Sequence, residues 1–382
     1  MPQNQNKNQT SGKSKYLLGF SLISEIGPAR FKKISEHFNS IEKAWDSNEL
    51  ELTKLFGRKV AEKIITCKNK INLKKEFELL ENENIEIISP NFSFQDFTGI
   101  NSEYFPRRLQ EIHSSPFILF ARGDLTLINK NQLAIVGSRR PTHYGRQVLE
   151  KLGPEIALSG LIITSGLAMG IDTLAHRIAL DNHQPTVSVL GSGLGQKILQ
   201  KSFNYRLGEE IIEKNGLLIS EYPPEFEANK FTFPARNRII SGLSLGVLII
   251  EAAERSGTLI TARHALEQNR EVLVIPGNIF FLQSVGTNNL IKQGATPITS
   301  ANDIFKALDW KINQIDSNKK SSQLIFNDNL EELIYAKLSF DPQSLDALVL
   351  KCKLDISLIS VKLSMLELKG MVKNVTGGYI RN

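Results

Sequence analysis

Cysteine is nearly absent from this chain. Its two copies, Cys67 and Cys352, lie far apart and match no metal-ligand spacing, so no disulfide framework is expected and a reducing compartment, the cytoplasm, is the expected setting. Long apolar runs are missing as well. None approaches the roughly 20 residues that span a bilayer, and the first fifteen residues, MPQNQNKNQTSGKSK, lack the apolar centre of a signal peptide and read as a solvated tail. Nucleotide fingerprints are missing too. Gly-x4-Gly-Lys-Ser/Thr occurs nowhere, and no clean Gly-x-Gly-x-x-Gly with an acidic ribose partner is present, so no cofactor is expected.

A catalytic set is equally hard to assemble. His113 and His264 have no partners at catalytic spacing, and Ser165 sits in a Ser-Gly turn instead of a Gly-x-Ser-x-Gly elbow. Asp172 and His176 stand four apart on one predicted helix without a third ligand. An aspartate in a first helical turn is explained by capping and the helix dipole, so no metal is expected. What is present is basic: 46 Lys and Arg against 40 Asp and Glu, a mild bias towards a polyanionic partner whose weight depends on where the cations fall.

Along the chain, residues 1–15 read as the tail and residues 16–83 as a small helical domain with apolar residues three and four apart. Its helix–Gly–helix turns at Gly27 and Gly57 resemble helix-hairpin-helix modules. Residues 84–310 alternate strands and helices, with strands predicted at Ile85–Ser89, Phe117–Arg122, Leu133–Gly137, Leu161–Ser165, Thr186–Leu190, Leu217–Glu221, Val247–Glu251, Glu271–Ile275 and Pro297–Ile298. Most are continuous apolar runs without period-two alternation, as in a parallel sheet covered on both faces. The fold class is therefore α/β, an extended Rossmann-like, doubly wound, mostly parallel sheet. Residues 311–326 read as a polar linker. Residues 327–382 give three short helices and a hairpin around Gly377-Gly378, the outline of a winged helix.

Ligands of such sheets bind where strands end and helices begin. Five predicted strand ends carry glycine-rich turns: Gly137-Ser138-Arg139-Arg140, Ser165-Gly166-Leu167-Ala168-Met169-Gly170, Gly191-Ser192-Gly193-Leu194-Gly195 with Lys197, Arg255-Ser256-Gly257-Thr258, and Pro276-Gly277-Asn278. Beside them Arg236, Asn237 and Arg238 open a predicted helix, whose unpaired N–H groups and partial positive charge attract anions. Cations (Arg139, Arg140, Arg146, Lys197, Lys201, Arg206, Lys230, Arg236, Arg238, Arg263) intermingle with rings (Tyr144, Phe203, Tyr205, Phe231, Phe233), the pattern that holds single strands by phosphate contacts and base stacking. Phe231 and Phe233 alternate with polar residues and are expected to bury at least one face.

These motifs resemble the DNA-processing protein A (DprA, or Smf) family. The resemblance rests on Ile135-Val136-Gly137-Ser138-Arg139 with Tyr144-Gly145, Ser165 to Asp172 with Ala175-His176, Phe233-Pro234-Ala235-Arg236-Asn237-Arg238-Ile239-Ile240, Glu251-Ala252 with Ser256-Gly257-Thr258, Pro276-Gly277, and Gly286-Thr287-Asn288 with Gly294-Ala295. It implies a non-enzymatic protein that binds single-stranded DNA, forms a homodimer and hands the strand to the RecA recombinase in natural transformation. It also implies a pocket lined by Gly137, Ser138, Arg139, Ser165, Gly166, Arg236, Asn237 and Arg238. We add Arg140, Gly170, Lys197, Ser256, Gly257 and Thr258 from the adjoining turns. The family often carries Asp-x-x-Tyr-Pro after the third glycine loop. This chain has Gly195-Gln196-Lys197-Ile198-Leu199, where Lys197 is expected to replace lost contacts. The alternative is an enzyme, since the fold also resembles the lysine-decarboxylase-like phosphoribohydrolases. Those carry Pro-Gly-Gly-x-Gly-Thr-x-x-Glu, and here Thr261 stands where the catalytic glutamate should be. A third reading, a duplex-DNA regulator, rests on the winged helix alone.

Overall fold

The computed structural model describes residues 3–95, 97, 99–311, 328–339, 342–375 and 377–381, and the chain divides into two compact units, residues 1–313 and 314–382. The predicted linker lies outside the described residues apart from Lys311.

The first unit opens with six helices: α1 (Gln3–Ser21), α2 (Pro28–His37), α3 (Ile41–Asp46), α4 (Glu49–Phe56), α5 (Arg58–Lys68) and α6 (Leu73–Asn82). Helix α1 starts at Gln3, well upstream of Tyr16, where the polar composition predicts a solvated tail. Gln and Lys are good helix formers, and prolonging an existing helix costs no new nucleus. Rings on the inward faces pack edge to face, Phe20 on Phe31 at 5.5 Å and on Trp45 at 5.3 Å. This helical region does not keep its core to itself. Phe31 stacks on Phe117 at 4.3 Å, and the same apolar cluster continues into Phe120, Leu190 and Leu218 of the sheet. The six helices thus cover part of one sheet face.

Nine strands follow at the predicted segments: β1 (Glu86–Ile88), β2 (Leu119–Gly123), β3 (Gln132–Val136), β4 (Ile162–Ser165), β5 (Thr186–Leu190), β6 (Leu217–Ser220), β7 (Gly246–Ile249), β8 (Glu271–Val274) and β9 (Thr296–Pro297). Between them run α7 (Arg107–Gln110), α8 (His143–Leu158), α9 (Ile171–Asp181), α10 (Gln196–Leu199), α11 (Tyr205–Glu213), α12 (Thr232–Leu243), α13 (Thr258–Glu267) and α14 (Val285–Lys292), with α15 (Ala301–Ala307) after β9. The spatial order is β1-β2-β6-β5-β4-β3-β7-β8-β9. Strands β1 and β2 are antiparallel additions at one edge, and the other seven are parallel. Every residue of β3, β5, β6 and β7 is buried, which is why these segments read as unbroken apolar runs. Strand β3 pairs with β4 on one side and β7 on the other, so the winding direction reverses between β3 and β7. That is the topological switch point, where an open sheet leaves a crevice at its carboxyl edge.

The second unit contains α16 (Asn329–Lys337), α17 (Leu345–Cys352), α18 (Ile356–Leu368) and the hairpin β10 (Val372–Val375) and β11 (Gly378–Arg381). Side chains of Asp328, Ser344 and Asp355 cap the three helices. Ile334, Leu348, Ile359, Leu363, Leu366 and Val372 form its core. Three helices and a hairpin make a winged helix. Among the described residues no helix is long and apolar enough to cross a membrane.

Candidate nucleic-acid interface

A cleft of about 760 Å³ opens at the switch point. Its walls come from the turn after β3 (Gly137, Ser138, Arg139), from Ala168 and Asp172 after β4, and from Ala228, Asn229 and Lys230 after β6. Residues of α12 (Phe233, Arg236, Asn237) and the turn into α13 (Ser256, Gly257, Thr258) complete it. Thr258 Oγ1 donates to the Gly137 carbonyl at 3.1 Å and ties the two switch-point turns together. The first N–H groups of α13 are held within its own turn, Thr258 by Ser256 Oγ at 3.2 Å, Leu259 by the Ser256 carbonyl and Ile260 by the Gly257 carbonyl, so what the helix presents to the cleft is the positive end of its dipole. Arg139 is exposed and lies over the Phe233 ring at 5.3 Å, while Lys230 lies over the Phe231 ring at 5.0 Å. Neither cation takes part in an ion pair among the described residues. Phe231 is 72% exposed, against the expectation that it would bury a face; the chain turns outward here just before α12 begins.

The floor of the cleft is a buried polar cluster. Arg236 is 4% exposed and donates through Nη1 to the carbonyls of Gly166, at 2.8 Å, and Val189. Its Nη2 lies 4.0 Å from Asp172 Oδ2, and Asp172 in turn accepts from the N–H groups of Gly166 and Ala168. Burial pushes the Asp172 carboxyl upward, opposed by Arg236 and those two N–H groups. His176, one helical turn further on, is pushed down to about 3 by burial and by Arg236, so it is neutral, with Nδ1 against Thr186 Oγ1 at 2.8 Å. Gly166 is required here: a Cβ on it would lie 2.0 Å from Arg236 Nη1. Gly170, with φ +87°, brings its loop against the Ser138 carbonyl, 2.3 Å from where a Cβ would stand.

Of the fourteen residues predicted from sequence, Gly137, Ser138, Arg139, Arg236, Asn237, Ser256, Gly257 and Thr258 line the cleft. Arg140 is exposed just beyond it. Gly166 and Gly170 shape its floor loop through backbone packing. Ser165 is buried and donates to the Ile135 carbonyl at 2.7 Å, so its hydroxyl is committed to the sheet. Lys197 is exposed elsewhere and pairs with Glu225 at 3.5 Å. Arg238 faces away. It pairs with Glu221 at 2.5 Å and lines a second cleft beside Gly27 and Pro28. The reason is helical rotation: residues two apart differ by about 200°, so Arg236 and Arg238 cannot share one face.

Glu251, just past β7, accepts from the N–H and hydroxyl of Thr142 and fixes the start of α8. Of the five glycine turns, those after β5 and β8 do not reach the cleft. Gly193 and Gly195 donate to the carbonyls of Phe226 and Pro224, and the N–H of Gly277 donates to Asn288. Their glycines serve close packing. The loop after β6, with Asn229 and Lys230, takes their place in the cleft. Lys230 stands among the cations intermingled with rings in the sequence, whereas Asn229 carries no signal there beyond polarity between a strand and a helix.

The fold and this cleft define a Rossmann-like protein with a cleft rimmed by cations and rings at the switch point, joined to a winged helix. A family model described as DNA recombination-mediator protein A matches residues 96–309, and one described as DprA winged helix domain matches residues 321–378. The chain belongs to this DprA/Smf family. Protein Smf of Synechocystis sp. is 33% identical over 398 residues, covering 95% of this chain and 97% of that protein. DNA processing protein DprA of Bacillus subtilis is 45% identical over 210 residues, 55% of this chain and 70% of that one. The X-ray structure of DNA processing protein A from Streptococcus pneumoniae aligns with a TM-score of 0.60 at 31% identity, covering 76% of this chain and 97% of the other.

Proposed function

We propose that the switch-point cleft holds single-stranded DNA, with Arg139, Lys230 and the N-terminus of α13 on phosphates and the rings of Phe231 and Phe233 against bases. The observation that carries this reading is the pairing of unneutralised cations with rings at the mouth of a cleft whose floor is formed by Arg236, Asp172 and backbone groups bonded to one another. Stacked bases contribute about 1–3 kcal/mol each on such surfaces.

The same cleft offers little for hydrolysis. Among the described residues Asp172 is the one carboxylate lining it, and its Oδ2 is engaged by Gly166, Ala168 and Arg236. Thr261, where the phosphoribohydrolases carry their glutamate, is buried in the wall. We therefore read the protein as a non-enzymatic strand binder. In keeping with the family resemblance, it would act as a homodimer and pass its strand to the RecA recombinase in the cytoplasm during DNA processing.

The test is a competition assay. A labelled oligothymidine is challenged with duplex DNA, single-stranded RNA and free nucleotides, with released base monitored in the same tube. Single-stranded DNA should win and no base should appear. Preferential displacement by mononucleotides, or base release, would sink the reading. With about three phosphates engaged, affinity should fall on the order of twentyfold between 50 and 200 mM salt; a flat response speaks against phosphate contacts.

A further inference from the structure

The second cleft holds about 580 Å³ and lies within the first unit, between the α1–α2 turn, Glu76 of α6 and the loop after β6. That loop and α12 form a wall common to both clefts. Asn229, Lys230 and Arg236 line one side of it, and Glu221, Phe226 and Arg238 line the other. The two sides differ in charge. Among the described residues three carboxylates line the second cleft, Glu76, Glu221 and Glu225, against one guanidinium, Arg238, which is already paired with Glu221. Burial and the neighbouring Glu225 push the Glu76 carboxyl upward, the mark of crowded negative charge. A phosphate has no place here.

Two features say what the cleft suits instead. The first is a flat platform. Tyr222 and Phe226 stack at 4.8 Å with their planes 18° apart, and Phe226, 36% exposed, keeps ring surface for a further flat group. Backbone bonds fix the platform: the Phe226 N–H donates to the Pro223 carbonyl at 3.0 Å, and the Phe226 carbonyl accepts from the Gly193 N–H at 2.9 Å. The glycine turn after β5 thus builds this second site. The other feature is an unmet donor. Arg238 Nη1 is buried without an acceptor among the described residues, while Nη2 donates to Glu221 Oε1. Buried charged donors are normally partnered. A donor seeking an acceptor beside a carboxylate complements a cyclic amide, in which a carbonyl oxygen and a ring N–H stand side by side.

We propose that the second cleft binds a free, phosphate-less guanine base or its nucleoside, with the ring against Phe226, the carbonyl oxygen on Arg238 Nη1 and the ring N–H on Glu221. Glu76 and Glu225 remain as acceptors for the exocyclic amine of guanine. Adenine presents an amine in place of that carbonyl and so leaves Arg238 unmet. A nucleotide brings a phosphate towards the carboxylates. The volume lies within the range of about 300–1,000 Å³ of small-molecule sites, and the walls have their usual make-up, apolar and aromatic with a few convergent polar groups. The site does not rest on the strand-binding reading, because neither Arg139 nor Lys230 belongs to it.

Equilibrium dialysis of the full chain against labelled guanosine should show saturable binding with a dissociation constant below about 1 mM. Adenosine and guanosine monophosphate should each displace it at least about tenfold less well than unlabelled guanosine does. Arg238→Ala should abolish the binding. Phe226→Ala, at a part-exposed ring, should weaken it by about tenfold, the scale of one stacked base, with circular dichroism unchanged. Arg139→Ala, in the strand cleft, should bind guanosine as the unaltered chain does. The site is overturned if guanosine does not bind, or if adenosine or the monophosphate displaces it as well as guanosine itself. Binding that survives both Arg238→Ala and Phe226→Ala, or that is lost in Arg139→Ala, overturns it too. Oligothymidine affinity enters none of these measurements, so this site and the strand cleft stand or fall separately.

Discussion

The carboxyl edge of the sheet and the outward face of α18 occupy equivalent places in two fold types that bind nucleic acid. They differ in where their cations spend their charge. At the sheet edge Arg139 and Lys230 rest on rings and make no ion pair among the described residues. At α18, Lys362 and the C-cap Lys369 are held by carboxylates of their own unit, and the helix exposes Leu358, Val361, Met365 and Leu368. Possession of a DNA-binding fold therefore says little about binding; the unneutralised charge on it says more.

The comparison breaks most visibly at Arg236, because removing it leaves Asp172 buried without its cation. Arg236→Ala should lower stability by about 3–5 kcal/mol, the cost of splitting a buried pair, and strand binding should disappear with the cleft floor. Urea unfolding with parallel fluorescence anisotropy checks both, and an unchanged midpoint would show the cluster to be dispensable. Arg139→Ala should behave oppositely. Strand affinity should drop by about 1.5–3 kcal/mol, the scale of a charge-assisted hydrogen bond, with no change in the unfolding midpoint.

Arg238→Ala sharpens the contrast within one helix, since its partner is Glu221 and it stands outside the cleft. We expect a stability loss of about 1–3 kcal/mol from the part-buried pair and strand affinity within twofold of the unaltered chain. If affinity falls as far as in Arg139→Ala, the bound strand extends around α12.

Acid should also separate the regions. His176 takes up protons near pH 6.5 when unfolded but only at about 3 when folded. Stability is therefore lost as pH falls below about 6.5 towards 3, because the unfolded chain binds the extra proton. Asp172, raised by burial, acts in the opposite sense, favouring the fold as it becomes protonated. His176→Gln should accordingly flatten or invert the stability slope between pH 6.5 and 4.5 for the first unit. The winged helix, which has no histidine, should show no such slope over that window. The smallest effect is expected at Lys362→Ala. Its pair with Asp328 lies at the surface, so the unfolding midpoint should hardly move, and strand affinity should not change.

Much of the sheet was legible because buried parallel strands leave unbroken apolar runs, and nine predicted segments, most of them such runs, overlap the nine strands. The site was legible only in part. Arg139 can be placed at the cleft from sequence because a short turn between strand and helix has nowhere to hide a long side chain. Arg236 and Arg238 look equivalent in a motif, and only their angular separation on α12 tells the buried anchor from the outward ion pair. The turns after β5 and β8 show the deeper difficulty. Glycine is demanded equally by a close ligand and by a close carbonyl, and the chain's own partner at Gly193, the backbone of Pro223 and Pro224, is fixed only by tertiary structure. The extent of α1 was missed because polar residues that helices tolerate look the same as polar residues in a tail.

The guanidinium that fills the space beneath Gly166 has a kinetic meaning. With the guanidinium packed beneath the loop and the Gly166 carbonyl already held, the bottom of the groove is in place before anything enters. Little ordering would then remain to be done on encounter, which leaves capture governed by diffusion and by the electric field of the rim. Discrimination among strands would fall to the flexible arginine, lysine and phenylalanine side chains above it, the parts free to adjust as each base passes.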